Sequence, residues 1–172
     1  MALRLVLTAA TYTGSMALAS KPWGGGQSAS KPPRELLGRG AYAHFETIPT
    51  RWNDMDAQSH VNNAVYHFYI DDAVNLHLAR SGVSNDVRRF TSENSCRYLR
   101  QLSWPTNIEI GMRVRLGRAS AAYQLGLFAE GETDASAIGT FTHIYVDARG
   151  KPCRMDESVR TALEPLVPDD GL

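Results

Sequence analysis

A short polar segment, residues 53–63, gathers the side chains of this chain that could carry out chemistry. It holds two carboxylates, one imidazole and several amides, namely Asn53, Asp54, Asp56, Gln58, His60, Asn62 and Asn63. A strand-like run precedes the segment and a helical run follows it, so these groups lie where a helix begins. Unpaired backbone N–H groups and the helix dipole favour negative charge there. A carboxylate at this position could attack a carbonyl, directly or through water, beside donors that stabilise the oxyanion.

The flanking runs predict the elements that would position this segment. Residues 43–51 alternate as a strand, and Pro49 indicates a sheet edge or a strand end. From His60 to Arg80 the pattern predicts a helix about 30 Å long, which Gly82 would end. Its apolar stripe is predicted from spacings of four, four, four and three, at Val61, Val65, Tyr69, Ala73 and Leu76.

The remainder of the chain predicts strands at residues 90–102, 107–116, 121–129 and 137–147, separated by turn sequences. Residues 155–166 predict a short closing helix with Asp156 as its N-cap. This order predicts an α+β fold in which an antiparallel sheet of about five strands wraps around one long central helix. Because such a sheet keeps free edges, we expect two copies to associate edge to edge.

Length and composition indicate one globular domain. The chain has 172 residues, 43% of them hydrophobic, and its 18 basic and 18 acidic residues balance. This balance does not favour a nucleic-acid partner or an acidic membrane surface, and a net charge near zero slightly disfavours a monomer. Cys96 and Cys153 are too few for a disulfide scaffold, and Cys96 is predicted to fill the core.

Residues 1–40 differ from the rest and are predicted to lie outside the domain, which would span residues 41–172. No acidic residue occurs between Met1 and Arg34, and Ser, Thr and Ala are frequent. The apolar run near the start is interrupted by polar residues, so stable membrane insertion is not expected. Three interpretations remain open: a mitochondrial or other organelle transit peptide, a secretory signal, or a disordered extension of a cytoplasmic protein.

The loop-and-helix motif resembles that of the hotdog-fold acyl-CoA thioesterases of the hydroxybenzoyl-CoA thioesterase group. The motif is Asp54-x-Asp56-x-x-x-His60-Val61-Asn62-Asn63-Ala64-x-Tyr66. It is also similar to that of the plant acyl-carrier-protein thioesterases. A later segment is similar to the family's turn after the second strand: Tyr98-Leu99-Arg100-x-x-x-Trp104-Pro105-Thr106-x-Ile108. The resemblance covers residues 41–154.

The resemblance implies a helix wrapped by an antiparallel sheet, homodimers that often stack into homotetramers, and acyl-CoA bound at the dimer interface. It carries the catalytic carboxylate onto Asp56 and the backbone N–H that polarises the thioester carbonyl onto Asn63. The Asn and His of the plant-type pattern fall on Gln58 and His60. Gln58 keeps the amide but lengthens its reach, and Ser59 stands where Gly is common.

The sequence therefore predicts an acyl-CoA thioesterase with Asp56 as general base or nucleophile, and Asp54 as a brace of the loop. The alternatives are an acyl-carrier-protein thioesterase, a hotdog dehydratase, or a non-catalytic acyl-CoA-binding protein. Candidate substrate-binding residues are Tyr66, Arg100 and Trp104.

No metal or redox cofactor is expected, and coenzyme A would enter as part of the substrate. Asp54, Asp56, His60 and His67 are of the residue types that bind metals, but their spacing matches no compact ligand motif.

Overall fold

The computed structural model describes residues 32–169, which contain one five-stranded antiparallel sheet. Its strands are β1 (His44–Ile48), β2 (Arg89–Tyr98), β3 (Ile108–Leu116), β4 (Ser120–Ala129) and β5 (Ala137–Tyr145). The order across the sheet is β1-β3-β4-β5-β2. Strands β3, β4 and β5 therefore form consecutive hairpins, and β1 and β2 occupy the two edges. The predicted sheet of about five antiparallel strands is confirmed.

Two helices accompany the sheet. Helix α1 (Val65–Arg80) has 16 residues, about 24 Å, and packs against β1, β2, β5 and the short helix α2 (Glu157–Leu163). The carboxylate of Asp156 caps α2, as predicted, by accepting a hydrogen bond of 2.9 Å from the N–H of Ser158. No helix within residues 32–169 is long and apolar enough to cross a membrane.

The buried face of α1 differs from the predicted stripe. It consists of Tyr66, Tyr69, Ile70, Ala73, Val74, His77 and Leu78. The prediction was right at Tyr69 and Ala73 and wrong at Val65 and Leu76, which are only half-buried. Successive spacings of four drift around a helix of 3.6 residues per turn, whereas the mixed spacings of three and four in the observed set keep to one side.

Gly139 allows α1 to approach β5 closely. A Cβ atom at this position would lie 2.6 Å from Cδ1 of Ile70 and 3.2 Å from the carbonyl oxygen of Ser95. Ile70 is fully buried, so the helix rests on the sheet where the sheet carries no side chain. This contact sets the height of α1 above the strands.

The packed chain begins before the predicted domain boundary at residue 41. Short 3-10 turns at Arg34–Leu37 and Arg39–Ala41 lie against the outer face of the sheet. Leu36 and Tyr42 form a second hydrophobic cluster there with Phe128, Ala135 and Ile138. Residues 34–40 thus cover apolar side chains that the sheet would otherwise expose. Residues 1–31 of the extension predicted for residues 1–40 lie outside the described residues.

Two predicted element ends are wrong. The strand predicted for residues 90–102 ends at Tyr98, because the N–H groups of Leu99 and Arg100 both turn to the carbonyl of Ser136, at 2.9 Å each. The helix predicted from His60 begins at Val65, because residues 60–64 form a bend, a β-bridge from Val61 to Met55 and a turn instead. These residues shape the site described next.

Candidate active site

Asp54 anchors the loop that joins β1 to α1. Its buried carboxylate accepts hydrogen bonds from the hydroxyl of Tyr69, at 2.6 Å, and from the backbone N–H of Arg51, at 2.7 Å. Its carbonyl accepts a third bond, of 2.9 Å, from the N–H of Asn62. One residue therefore ties the start of the loop, its end and the body of the helix together, which is the bracing role predicted for it.

The surroundings of Asp54 keep it ionised. Burial by itself would raise the pKa of this carboxyl, but the hydrogen bonds from Tyr69 and Arg51 outweigh burial and lower the pKa. The guanidinium of Arg51, at 3.2 Å, adds to this effect. Burial, together with the neighbouring carboxylate, raises the pKa of Tyr69 correspondingly, so its hydroxyl keeps its proton and remains a donor.

Asp56 lies in a tight turn that closes on His60. The N–H of Asp56 donates to the carbonyl of His60 at 2.8 Å, and the N–H of Ser59 donates to the carbonyl of Asp56 at 3.1 Å. Ser59 has a φ angle of 63°, in the left-handed region that glycine occupies most easily. A non-glycine residue there costs about 1–2 kcal/mol, which explains why this position favours glycine in similar motifs.

The turn orients the carboxylate of Asp56. Its Oδ1 atom accepts hydrogen bonds from the N–H groups of Gln58, at 2.8 Å, and His60, at 3.2 Å. Across residues 32–169, no hydrogen bond is made to the second oxygen, Oδ2. The side chain is half-buried, so Oδ2 is held in a defined direction and remains available to a reactant.

The backbone N–H of Asn63, just before α1, is a candidate donor. The N–H of Asn62 donates to Asp54, the N–H of Ala64 to the side chain of Asn62, and the N–H of Val65 to the carbonyl of Asn62. Among the described hydrogen bonds, none uses the N–H of Asn63. An N–H at a helix start that lacks an intramolecular partner is a donor for an anion.

Asp56 and Asn63 line the same cleft, whose volume is about 400 Å³. Its lining residues are Asp56, Gln58, His60, Val61, Asn63, Tyr66, Tyr98, Leu99, Arg100 and Gln101. The fold therefore brings together six of the seven residues that were predicted from the sequence to be catalytic or substrate-binding. Trp104 is the exception, because its ring packs edge-on against Trp52 at 5.5 Å and it does not line the cleft.

The end of β2 supplies the wall that sequence reasoning missed. Tyr98 donates from its hydroxyl to the carbonyl of Asn63 at 2.8 Å, and its ring meets that of Tyr66 at 4.9 Å and 84°. Tyr66 is buried, which raises its pKa to about 12 and leaves it uncharged. The sequence signal for this wall was an aromatic residue followed by a leucine at a strand end, directly before Arg100.

The outer part of the cleft is cationic. Arg100 hydrogen-bonds to the carbonyl of Asp134, and its guanidinium lies 3.8 Å from Glu132, while nearly half of the side chain is exposed. His67, by contrast, turns away to Asn94, at 2.9 Å, and lies outside the cleft. The cleft thus offers one carboxylate, one free N–H and one exposed cation.

Residues 50–163 match a family model described as the thioesterase-like superfamily, and this match covers more than half of the chain. The chain belongs to this superfamily, and its fold is the hotdog fold of the thioesterases that it resembles. It is therefore a thioester hydrolase, and the predicted family and reaction class are confirmed.

Solved structures of other proteins agree with this family and fold. The PA5185 protein of Pseudomonas aeruginosa strain PAO1 is 39% identical, with a TM-score of 0.74 over 77% of this chain and 97% of that one. A thioesterase from Thermus thermophilus, complexed with coenzyme A and Zn, is 25% identical, with a TM-score of 0.60 over 73% of this chain and 94% of that one.

A 1,4-dihydroxy-2-naphthoyl-CoA thioesterase from Synechocystis shares the fold at 10% identity, with a TM-score of 0.65 over 69% of this chain and 93% of that one. Among curated proteins no match was found.

Replacing Tyr69 by Phe should destabilise the protein in a pH-dependent way. In the folded protein the pKa of Asp54 is lower than its unfolded value of about 4. Ionised Asp54 therefore stabilises the fold above about pH 4, and this stabilisation is lost as the pH falls through the pKa of the folded state. We expect Tyr69→Phe to lower the free energy of unfolding by about 1–3 kcal/mol at neutral pH. The deficit should shrink as Asp54 becomes protonated.

Urea unfolding from about pH 7 to about pH 3 measures this deficit. Tyr42→Phe is the matched control, since its hydroxyl donates to a neutral carbonyl, that of Leu36, at 2.8 Å. The control deficit should not change with pH. Equal pH profiles for the two variants would contradict the anchoring role of Asp54.

Proposed function

We propose that the protein hydrolyses an acyl-CoA thioester to a carboxylic acid and free coenzyme A, with Asp56 as the catalytic carboxylate. The observation that carries the proposal is the pairing of a free carboxylate oxygen with an unused N–H in one cleft, at Asp56 and Asn63. A thioester needs both groups: one to drive attack on its carbonyl carbon, and one to stabilise the oxyanion that forms.

The carboxylate can act by two routes. As a general base, Oδ2 of Asp56 takes a proton from water while the water oxygen bonds to the carbonyl carbon; the tetrahedral oxyanion then expels the thiolate, which takes up the proton. As a nucleophile, Oδ2 bonds to the same carbon and the C–S bond breaks to release the thiolate; water then opens the resulting mixed anhydride, and a proton from that water goes to the thiolate. Single turnover in ¹⁸O water distinguishes the routes, because only the second places the label in Asp56 when water attacks the aspartyl carbonyl.

The other residues of the cleft suit supporting roles. The side chains of Gln58 and His60 lie on the turn of Asp56 and can orient the attacking water. Tyr66, Tyr98 and Leu99 offer apolar surface to the acyl group, and Arg100 is an exposed partner for a phosphate of coenzyme A. The hydrolysis so described uses no metal or redox cofactor, and coenzyme A takes part only as a portion of the substrate.

Coenzyme A is favoured over an acyl carrier protein as the thiol carrier. The 25%-identical thioesterase from Thermus thermophilus was solved in complex with coenzyme A, which supports this preference. Acyl-carrier-protein hydrolysis and non-catalytic acyl-CoA binding are the alternatives, and thiol release from an acyl carrier protein would support the first of them.

We further propose that the protein acts as a homodimer formed through β2, whose dimers can stack into a homotetramer. Strand β2 is a ten-residue edge strand, and an unpaired edge of this length is a template for a second copy. Phe90 on β2 is 62% exposed, and Tyr98 and Leu99 at its end are 44% and 36% exposed. The cleft opens beside this edge, so a second copy would form its missing wall.

For residues 1–31 we propose organelle targeting, because this part of the chain contains basic residues but no acidic residue. Imaging a fluorescent reporter fused behind these residues tests the proposal, and diffuse cytosolic signal would contradict it.

Replacing Asp56 by Asn should reduce turnover by about 10²–10⁴-fold, because the amide can neither accept the proton nor attack the carbonyl. Thiol release from a panel of acyl-CoAs of different chain length and aromaticity measures the effect. Asp86→Asn, which removes an exposed acid bonded to Ser84, is the control and should leave turnover unchanged. Binding without turnover by the wild type on every substrate would favour the non-catalytic alternative.

At residue 63, the backbone rather than the side chain should matter. Asn63→Ala keeps the N–H and should change turnover little. Asn63→Pro removes an N–H that donates to no described residue, and proline is tolerated near a helix start. This variant should lower turnover by about 10²–10³-fold, because the oxyanion would lose a donor. Circular dichroism checks that both variants fold. Equal activity of the Pro and Ala variants would show that this N–H is not the oxyanion donor.

Replacing Phe90 by Lys should shift the oligomer towards monomer, because it places a charge on the exposed edge strand. Sedimentation velocity over a concentration series measures the shift, and turnover should fall with the dimer fraction. Trp52→Lys serves as the control, since Trp52 is 70% exposed but lies outside β2. A wild type that is monomeric and fully active would contradict the proposed dimer.

A further inference from the structure

A second group of polar residues lies at the other end of α1, where that helix meets strand β1. His44 and Glu46 project from the same face of β1, and His77 comes from the last turns of α1. One ligand atom from each lies within 4.8 Å of the other two, and the two imidazole rings are 4.7 Å apart. Within residues 32–169 this is the one group whose donors converge in this way.

We propose that His44, Glu46 and His77 bind a divalent transition-metal ion of the Zn²⁺ class, which clamps β1 to the C-terminal end of α1. Two imidazole nitrogens and one carboxylate oxygen form a donor set suited to Zn²⁺, Co²⁺ or Ni²⁺ and poorly suited to Mg²⁺. The side chain of His44 is 39% exposed, so water can reach the fourth position and the ion can enter from solvent.

The distances are compatible with this coordination. In a tetrahedral site with bonds of about 2.0–2.1 Å, neighbouring ligand atoms lie about 3.3 Å apart. Nε2 of His44 and Oε1 of Glu46 are already 3.0 Å apart. The remaining separations, at most 4.8 Å, need to close by no more than about 1.5 Å, which side-chain rotation supplies.

The hydrogen bond of His77 leaves its other ring nitrogen free to bind a metal ion. Its Nε2 atom lies 3.2 Å from the carbonyl oxygen of Ala162, and because a carbonyl only accepts, this nitrogen carries the proton. The lone pair therefore resides on Nδ1. In metal sites, a ligating histidine usually donates its other ring N–H to a carbonyl or carboxylate oxygen, which fixes the orientation of the ring.

Arg80 competes with the ion for Glu46. Its guanidinium hydrogen-bonds to Oε2 of Glu46, while Oε1 faces His44. Glu46 can therefore offer Oε1 to a metal without losing Arg80, although two positive charges then share one carboxylate. The side chain of Arg80 is 64% exposed and can swing into solvent, so removing this charge should strengthen metal binding.

This site is separate from the proposed catalytic cleft. Residue 77 follows residue 63 by 14 positions (77 − 63), which corresponds to about 20 Å along a helix. The ion would therefore act on stability rather than on the thioester. Sequence spacing did not reveal it, because its ligands come from two elements that meet only in the folded chain.

Calorimetric titration of the full chain, without a histidine tag, with Zn²⁺ and with Co²⁺ tests the proposal. We expect one ion per chain, a rise in melting temperature, and a visible d–d spectrum of the Co²⁺ form that indicates nitrogen and oxygen ligands. His44→Asn and His77→Gln should each weaken binding on the order of tenfold or more, and Arg80→Gln should strengthen it. His67→Gln removes a half-buried histidine elsewhere and should have no effect, and Mg²⁺ should not bind.

Failure of the wild type to bind Zn²⁺, Co²⁺ or Ni²⁺ overturns the proposal, whether or not the variants fold. It is equally overturned if His44→Asn and His77→Gln bind as tightly as the wild type, or if the Co²⁺ spectrum shows thiolate ligation through Cys96 or Cys153. The proposal is supported if both variants are folded, as judged by circular dichroism, and bind the metal more weakly than the wild type.

Discussion

The structure around the proposed catalytic centre depends on one buried carboxylate, that of Asp54. It joins the hydroxyl of Tyr69 in the helix to the backbone of the loop that carries Asp56. A buried charge is costly unless it is fully hydrogen-bonded, and this one receives donors from two elements. The same interaction that stabilises the ion therefore sets the position of the loop relative to the helix start.

Two neighbouring acids thus have different environments, which suit the different roles proposed for them. Asp54 is buried, and its donors lower its pKa, so it remains an inert anion. Asp56 keeps one oxygen without an intramolecular partner and lies half-exposed at the wall of a cleft. A reactive carboxylate needs free lone pairs as well as a defined orientation, and the turn through Ser59 provides both. The strain at Ser59 is the cost of the turn whose N–H groups of Gln58 and His60 hold the carboxylate of Asp56.

Helix α1 is used along its whole length. Its start contributes the free N–H of Asn63, its middle rests on Gly139 through Ile70, and its last turns bring His77 and Arg80 to β1. Close packing at Gly139 restricts the tilt of the helix. A single element can therefore position both the proposed catalytic cleft at one end and the proposed ion-binding cluster at the other.

Local pattern in the sequence determined the order of the elements and the five antiparallel strands, and the resemblance of one short motif selected Asp56 and Asn63 as the proposed catalytic groups. These features depend on periodicity, turn residues and one short motif, all of which act between residues close in the chain. Only the tertiary structure decided that Tyr98 and Leu99 complete the cleft, that residues 34–40 cover the outer face of the sheet, and that His44, Glu46 and His77 converge. Each of these contacts joins segments distant in sequence, and spacing along a chain carries no information about which distant segments will meet. The start of α1 at Val65 belongs with them, because Asp54 and Asn62 hold the preceding residues in turns that a helical pattern alone does not predict.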